Sequence, residues 1–293
     1  MILPLTGGGS PVMKQGSPGA RVAPFQRKSF QRRALSLALL FGAFTIPAQA
    51  ASVPAGIPAP SIVRATPAMW EIRDADTTIY LFGTFHTLDA RTVWFDSRVR
   101  KAFDDSGELV LETIVPEDIS SFRPAVTAPD GKLKPFIAQT QAAVGHGRAL
   151  GMSIDHGADA VLRRVAVDMG KPVGGLERFE EQLGTLARIP AASATPGFRS
   201  VQPASVSVTD LLRAWTNGDT GAFSTMLAGF EAKAPVAYRM LIADRNAKWG
   251  QWIANRLDQP GVVFVAVGSG HLAGKDSVQS WLAARGISAT RVS

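Results

Sequence analysis

Val263-Phe264-Val265-Ala266-Val267-Gly268-Ser269-Gly270-His271 reads as an apolar strand that stops at a glycine and delivers a histidine three residues later. The same pattern stands 185 positions earlier, in Ile79-Tyr80-Leu81-Phe82-Gly83-Thr84-Phe85-His86. With 28 Gly and four His in 293 residues, chance places a Gly three residues before a His roughly 0.4 times. The apolar strand before each pair, more than the count, gives the pattern its weight. If the two strands are neighbours in one sheet, both imidazoles stand at its carboxyl edge, where open α/β sheets hold their ligands. Two converging His there read as a metal site or an acid–base pair. The plainer alternative is that each Gly turns the chain and each His packs at a strand end.

Residues 1–50 contain six Lys/Arg (Lys14, Arg21, Arg27, Lys28, Arg32, Arg33) and no acid. An apolar run over 34–46 follows, broken only by Ser36, Gly42 and Thr45, and then Pro47-Ala48-Gln49-Ala50. A basic start, a short apolar run and an Ala-x-Ala site make a secretory signal peptide, cut after Ala50, and a periplasmic mature protein. The run is too short for a comfortable membrane span, and an uncleaved anchor is the alternative. The long basic region also admits a translation start at Met13.

The leader accounts for the charge. The net charge of +7 comes from 31 Lys/Arg against 24 Asp/Glu. Without the six in the leader, basic and acidic residues nearly balance, and no Lys/Arg cluster suits a nucleic-acid backbone. There are no Cys, so there are no disulfides, and metal ligands must come from His, Asp, Glu and amides. Residues 51–67, rich in Ala, Pro and Ser, read as a flexible lead-in, which leaves 68–293 as the folded domain.

The rest of the chain alternates strands and helices. Strands are expected over 69–72 and 77–82, joined at Asp74-Ala75-Asp76. A helix over 97–103 stops at Asp104-Asp105-Ser106-Gly107, and a strand over 108–111 ends in Glu112. This strand–helix–strand run predicts a right-handed βαβ unit that brings His86 and Glu112 to one sheet edge. Three- and four-residue apolar spacing predicts helices over 133–150, 158–169, 177–189 and 208–217. A short strand over 171–176 runs into Glu177, and a Pro/Ala/Ser loop occupies 190–203. A long amphipathic helix over 236–257 leads into the second His strand, with a helix over 274–284 and a strand over 287–292 to close. The fold class is α/β: a central mixed sheet flanked by helices, with a helical middle insertion. No phosphate-cradling loop and no Gly-x-Ser-x-Gly elbow is present.

Several stretches in order resemble the TraB/GumN family (TraB/PrgY/GumN), related to the Tiki proteases and more distantly to the ChaN and erythromycin-esterase groups. They are Trp70-Glu71-Ile72 through Gly83-Thr84-Phe85-His86-Thr87-Leu88, Leu109-Val110-Leu111-Glu112, and His156-Gly157-Ala158-Asp159 with Gly170-Lys171-Pro172 and Gly175-Leu176-Glu177. Ala214-Trp215 with Gly218-Asp219, and Asp244-Arg245-Asn246 through Gly268-Ser269-Gly270-His271-Leu272, complete the series. Ala158 and Arg178 depart from it, standing where the family favours a β-branched residue and a Thr or Ser. The resemblance implies paired Gly-x-x-His motifs with a site Glu, tied in the Tiki branch to metal-dependent peptide-bond cleavage. For GumN-like members it implies the site more than the reaction.

On that basis His86, His271 and Glu112 form a two-His, one-carboxylate set for a divalent metal (zinc, manganese or cobalt), with a position left for water. Their donor atoms are expected within a few ångströms of one point. Glu177 serves as general base or as an orienter of the ligands. Arg245 clamps a substrate carboxylate or an oxyanion, and Asn246 donates beside it. Rival roles stay open: Glu112 as a mere ion-pair partner of Arg245, Glu177 as a helix cap, Asp159 as a cap or a His orienter. His146 and His156 lack the strand–Gly context and read as surface or capping residues, and Trp249 and Trp252 as core. A peptide or small-molecule ligand is the expected partner. The competing functions are a non-catalytic periplasmic ligand binder and an envelope factor in polysaccharide export.

Overall fold

The computed structural model describes residues 62–116, 147–190 and 206–292, together with residues 134, 138 and 145. The expected signal peptide, most of the expected lead-in, His146, most of the helix expected over 133–150 and most of the 190–203 loop lie outside the described residues.

Strand β7 (Gly261–Gly268) organises the sheet. Its side chains alternate between two cores. Phe264 and Ala266 pack with Phe82, Trp94 and Phe103, while Val263, Val265 and Val267 pack with Trp249, Ile253, Leu272 and Leu282. Both faces are covered, so a strand here must be apolar throughout, and the unbroken Val-Val-Phe-Val-Ala-Val run is the result.

The six-stranded sheet also contains β2 (Met69–Arg73), β3 (Thr77–Thr84), β5 (Glu108–Leu111), β6 (Val173–Gly175) and β8 (Thr290–Arg291), in the order β6-β5-β7-β3-β2-β8. Strands β3, β5, β6 and β7 are mutually parallel, and β2 runs antiparallel to both β3 and β8. A separate parallel pair joins β1 (Val63–Arg64) to β4 (Thr92–Val93).

The two His strands are immediate neighbours, which meets the condition for both imidazoles to share one sheet edge. The βαβ expectation needs correction in one respect: β3 and β5 flank α1 (Ser97–Asp105) in the chain but are not adjacent, because β7 lies between them. The edge they share is the same, so three parallel strands bring His86, His271 and Glu112 to one end of the sheet.

Helices α2 (Ala158–Asp168), α3 (Phe179–Arg188) and α4 (Val208–Thr216) lie within one residue or two of expectation. Four features differ. Helix α5 (Gly221–Lys233) is not marked by the sequence pattern, because apolar and small residues surround its buried Phe223, Leu227 and Phe230 and leave no polar stripe for contrast. The long helix over 236–257 is not uniform. It runs as α6 (Pro235–Tyr238), a π-helical turn at Arg239–Ala243, and α7 (Asp244–Arg256). A wide turn of this kind rotates the helix beyond it, and such turns recur at functional sites; here Arg245 and Asn246 come next. Helix α8 (Val278–Ala283) is shorter than the 274–284 expected, and the closing strand pairs through Thr290 and Arg291 alone.

Candidate functional site

The two Gly-x-x-His turns are not copies in shape. Register pairs Thr84 with Gly268, so the motifs are offset by one residue. After Gly268 the chain winds into a 3-10 turn, Ser269–Leu272, which buries His271. After Thr84 no such turn occurs, and the His86 side chain is 62% exposed.

The turns are clipped together. Ser269 Oγ donates to Thr84 O at 3.0 Å, and Trp215 Nε1 donates to Gly83 O at 2.9 Å. A Cβ on Gly83 would stand 2.7 Å from Ser269 Oγ, so this glycine permits the close approach of the two turns.

Each imidazole is anchored through Nδ1. Asp159 Oδ2 lies 2.8 Å from His86 Nδ1, and the other Asp159 oxygen accepts from Thr84 Oγ1 at 2.8 Å. The His156-Gly157-Ala158-Asp159 stretch explains how. Ala158 N donates to Phe85 O at 3.0 Å, and a Cβ on Gly157 would collide with the His86 carbonyl. Helix α2 therefore begins against the first His turn and carries Asp159 in its first turn.

His271 is held by Asn246. The Asn246 amide donates to His271 O at 3.3 Å and to Asp276 O at 2.6 Å, which fixes Oδ1 toward His271 Nδ1 at 2.6 Å. The ring proton must then be on Nδ1, and Nε2 accepts from Arg245 Nη1 at 3.1 Å. Burial, helped by the positive charges of Arg245 and His86, outweighs the pull of Glu112 and pushes the His271 pKa down to about 3. Trp249 packs on the ring with centroids 4.4 Å apart.

Glu112 lies between the histidines. Its Oε1 accepts from Gly268 N at 2.6 Å and stands 3.8 Å from His271 Nε2. Its Oε2 accepts from Arg245 Nη2 at 2.8 Å. A Cβ on Gly268 would fall 3.0 Å from His86 Nε2 and 3.1 Å from Glu112 Oε1. The free nitrogen of His86 and the carboxylate thus border one small space that only glycine leaves open.

Burial alone would raise the Glu112 pKa, but positive neighbours and the Gly268 N–H outweigh it and bring it down to about 2. His271 is neutral well above pH 3, so at neutral pH Arg245, His86 and Gly268 hold this charge. The Asp159 carboxylate raises the His86 pKa to about 9. Water reaches the exposed ring and moderates that attraction, and its upward direction follows from the 2.8 Å contact.

Arg245 ties the cluster together. Besides Glu112 and His271 it binds Glu177, through Nε at 3.1 and 3.2 Å and Nη2 at 2.6 Å, and its guanidinium lies over Trp249. Burial raises the Glu177 pKa against the opposing pull of Arg245. Glu177 is not a helix cap. The cap of α3 is Arg178, which makes no side-chain cap bond where a Thr or Ser would.

All six residues expected at the site meet in one cluster, and Asp159 and Trp249 join them. Two expected roles change. Asn246 is 1% exposed with its amide fully engaged, so it orients His271 and has no donor left for a substrate. The tight metal-ligand spacing is not present: among the described residues no three His, Asp or Glu side chains form a metal-holding group. Arg245 stands between His271 and Glu112 instead. The donor set still suits a divalent cation in type and orientation, since two anchored imidazoles present Nε2 beside a carboxylate. His156 is exposed and outside the cluster, and Trp252 is partly buried core.

Fold and site together define an α/β protein with a polar His/Glu/Arg centre at the carboxyl edge of parallel strands. The chain belongs to the TraB/PrgY/gumN family, whose sequence pattern matches residues 68–122 and 113–291. No match is found among curated proteins or among solved structures. No helix of the described residues is long and apolar enough to cross a membrane.

Proposed function

We propose that the protein is an exported hydrolase acting on peptide bonds with a divalent cation held by His86, Glu112 and His271. One observation carries this reading. Both imidazoles are anchored through Nδ1, by Asp159 at 2.8 Å and by Asn246 at 2.6 Å, which directs their second nitrogens to the Glu112 side of the cluster. Metal-binding histidines are oriented in this way.

When bound, such a cation lowers the pKa of a water and polarises a carbonyl. The protein's own groups supply the rest. Glu177 orients Arg245 beside the ligands through its bonds to Nε and Nη2. Arg245, permanently charged, faces the developing oxyanion or a substrate carboxylate. Asp159 and Asn246 keep the two rings from rotating. The leader over residues 1–50 supports export, which N-terminal sequencing of periplasmic protein beginning at Ala51 would check.

The seating of Arg245 on both His271 and Glu112 favours a second reading, a metal-free cleft that binds a peptide or small molecule without cutting it. Elemental analysis and peptide-cleavage assays of the wild type and of His86→Ala/His271→Ala separate the two. Co-purifying metal and turnover, both lost in the double variant, support the hydrolase. Wild-type protein without metal or turnover supports the binder.

A further inference from the structure

His271 has one ring lone pair to give, and Arg245 takes it. The Nδ1 proton is committed to Asn246 Oδ1, and Asn246 cannot flip because its amide hydrogens serve two backbone carbonyls. Nε2 is the only acceptor left on the ring, and Arg245 Nη1 lies 3.1 Å from it. The same guanidinium reaches Glu112 through Nη2 at 2.8 Å. A planar fork with fixed donors is well matched to two acceptors at once. A metal ion bound to His271 needs that same lone pair.

We infer that Arg245 is the resident cation of the resting site: its guanidinium and a divalent ion compete for His271 and Glu112, and the ion enters as Arg245 withdraws onto Glu177. The inference rests on the reading of His86, Glu112 and His271 as metal ligands.

Glu177 makes the exchange feasible. It already binds Arg245 through Nε and Nη2, so the guanidinium keeps a carboxylate partner after leaving the other two groups. The Arg245 side chain is 11% exposed, and an unpaired charge at that depth is strongly disfavoured. Repulsion between the incoming ion and the guanidinium drives the withdrawal. Two contacts hold the resting pose: Nη1 to Leu241 O, in the π-helical turn, at 3.2 Å, and the stacking over Trp249. Arg245 is thus a specificity element. It admits only cations that bind His271 and Glu112 strongly enough to expel it.

The test measures metal affinity and does not depend on turnover. Protein expressed from the full gene is titrated with Zn²⁺, Mn²⁺ and Co²⁺ against a competing fluorescent chelator, as wild type, Arg245→Met, Glu177→Gln and His271→Ala. The expected result is at least tenfold tighter binding in Arg245→Met and at least tenfold weaker binding in Glu177→Gln, where the displaced guanidinium loses its partner. In ¹⁵N-labelled wild type, the Arg245 Nε–H resonance moves on saturation with Zn²⁺, and it does not move in His271→Ala. If His271→Ala abolishes binding but Arg245→Met binds no tighter than wild type, the inference is overturned and the metal site stands. If neither wild type nor Arg245→Met binds metal, both fall. Binding in Arg245→Met alone supports the inference. Should Arg245→Met fail to fold, the Glu177→Gln affinity and the Arg245 resonance decide.

Discussion

Asp159 holds His86 by Nδ1 at 2.8 Å, and it does so from the first turn of a helix that docks on the backbone of the histidine it orients. The carboxylate has no freedom to wander, because Thr84 Oγ1 binds its other oxygen. A carboxylate fixed beside an imidazole favours the charged ring. In metal-free protein, the His86 pKa should therefore fall from about 9 toward the ordinary 6.5 in Asp159→Asn. Titration of the His86 ring resonances by NMR reads this directly. An unchanged pKa would show that Asp159 does not govern the ring.

The two motif glycines should respond differently to an added methyl group. Gly268 has φ −54° and ψ 136°, open to any residue, so Gly268→Ala carries no backbone strain. Its Cβ would enter the space between His86 Nε2 and Glu112 Oε1. Metal or ligand binding should be lost with little change in Tm. Gly83→Ala instead pushes on Ser269 Oγ and the clip to Thr84, so its main effect should be on stability. Thermal melts paired with metal titrations distinguish the outcomes, and a Gly268→Ala variant with wild-type affinity would place the binding space elsewhere.

The parallel core is legible in the sequence because β7 is apolar at every position, and only a strand covered on both faces requires that. The His pair is legible for the same reason, since each His comes after such a run. The insertion of β7 between β3 and β5 is not, because strand order is decided by long-range pairing that no local pattern records. The part played by Asn246 is hidden as well. The residue type suits a substrate donor, and only its commitments to Asp276 and His271 exclude that use. Trp249 reads as core and is core, but its ring also packs against His271 and beneath Arg245, a second contact that helical spacing does not reveal.

Asn246 connects the site to the fold, so its loss should be felt in both. Asn246→Ala leaves His271 Nδ1 and two backbone carbonyls without their partner at a position 1% exposed. Orphaned buried polar groups of this kind cost about 1–3 kcal/mol each. Urea unfolding should show a loss of at least that size, and metal affinity should fall as the His271 ring is freed to rotate. Asn246→Asp tests the acceptor separately: it keeps an oxygen toward Nδ1 but removes both amide hydrogens.

Acid should weaken the metal-free protein before its ordinary carboxylates titrate. His271 is buried as the neutral ring, with its pKa pushed from 6.5 down to about 3. A group whose folded pKa is depressed contributes stability that is present above its unfolded pKa and lost as pH falls through the folded value. Between pH 6.5 and 5 the unfolded chain takes up a proton at His271 that the folded chain refuses, and stability declines by at most about 1.4 kcal/mol per pH unit. Glu112, depressed to about 2, extends the loss below its ordinary 4.5. His86 has the opposite sign. Its contribution is complete only below about pH 6 and fades as pH rises through about 9, so between pH 7 and 6 it offsets the His271 loss, and below pH 6 it adds little slope. Urea midpoints of chelator-treated protein from pH 6 to 5 should fall in the wild type and flatten in His271→Gln. A wild-type profile already flat across that window would mean that His271 takes its proton in the folded state, and that Arg245 does not hold its Nε2.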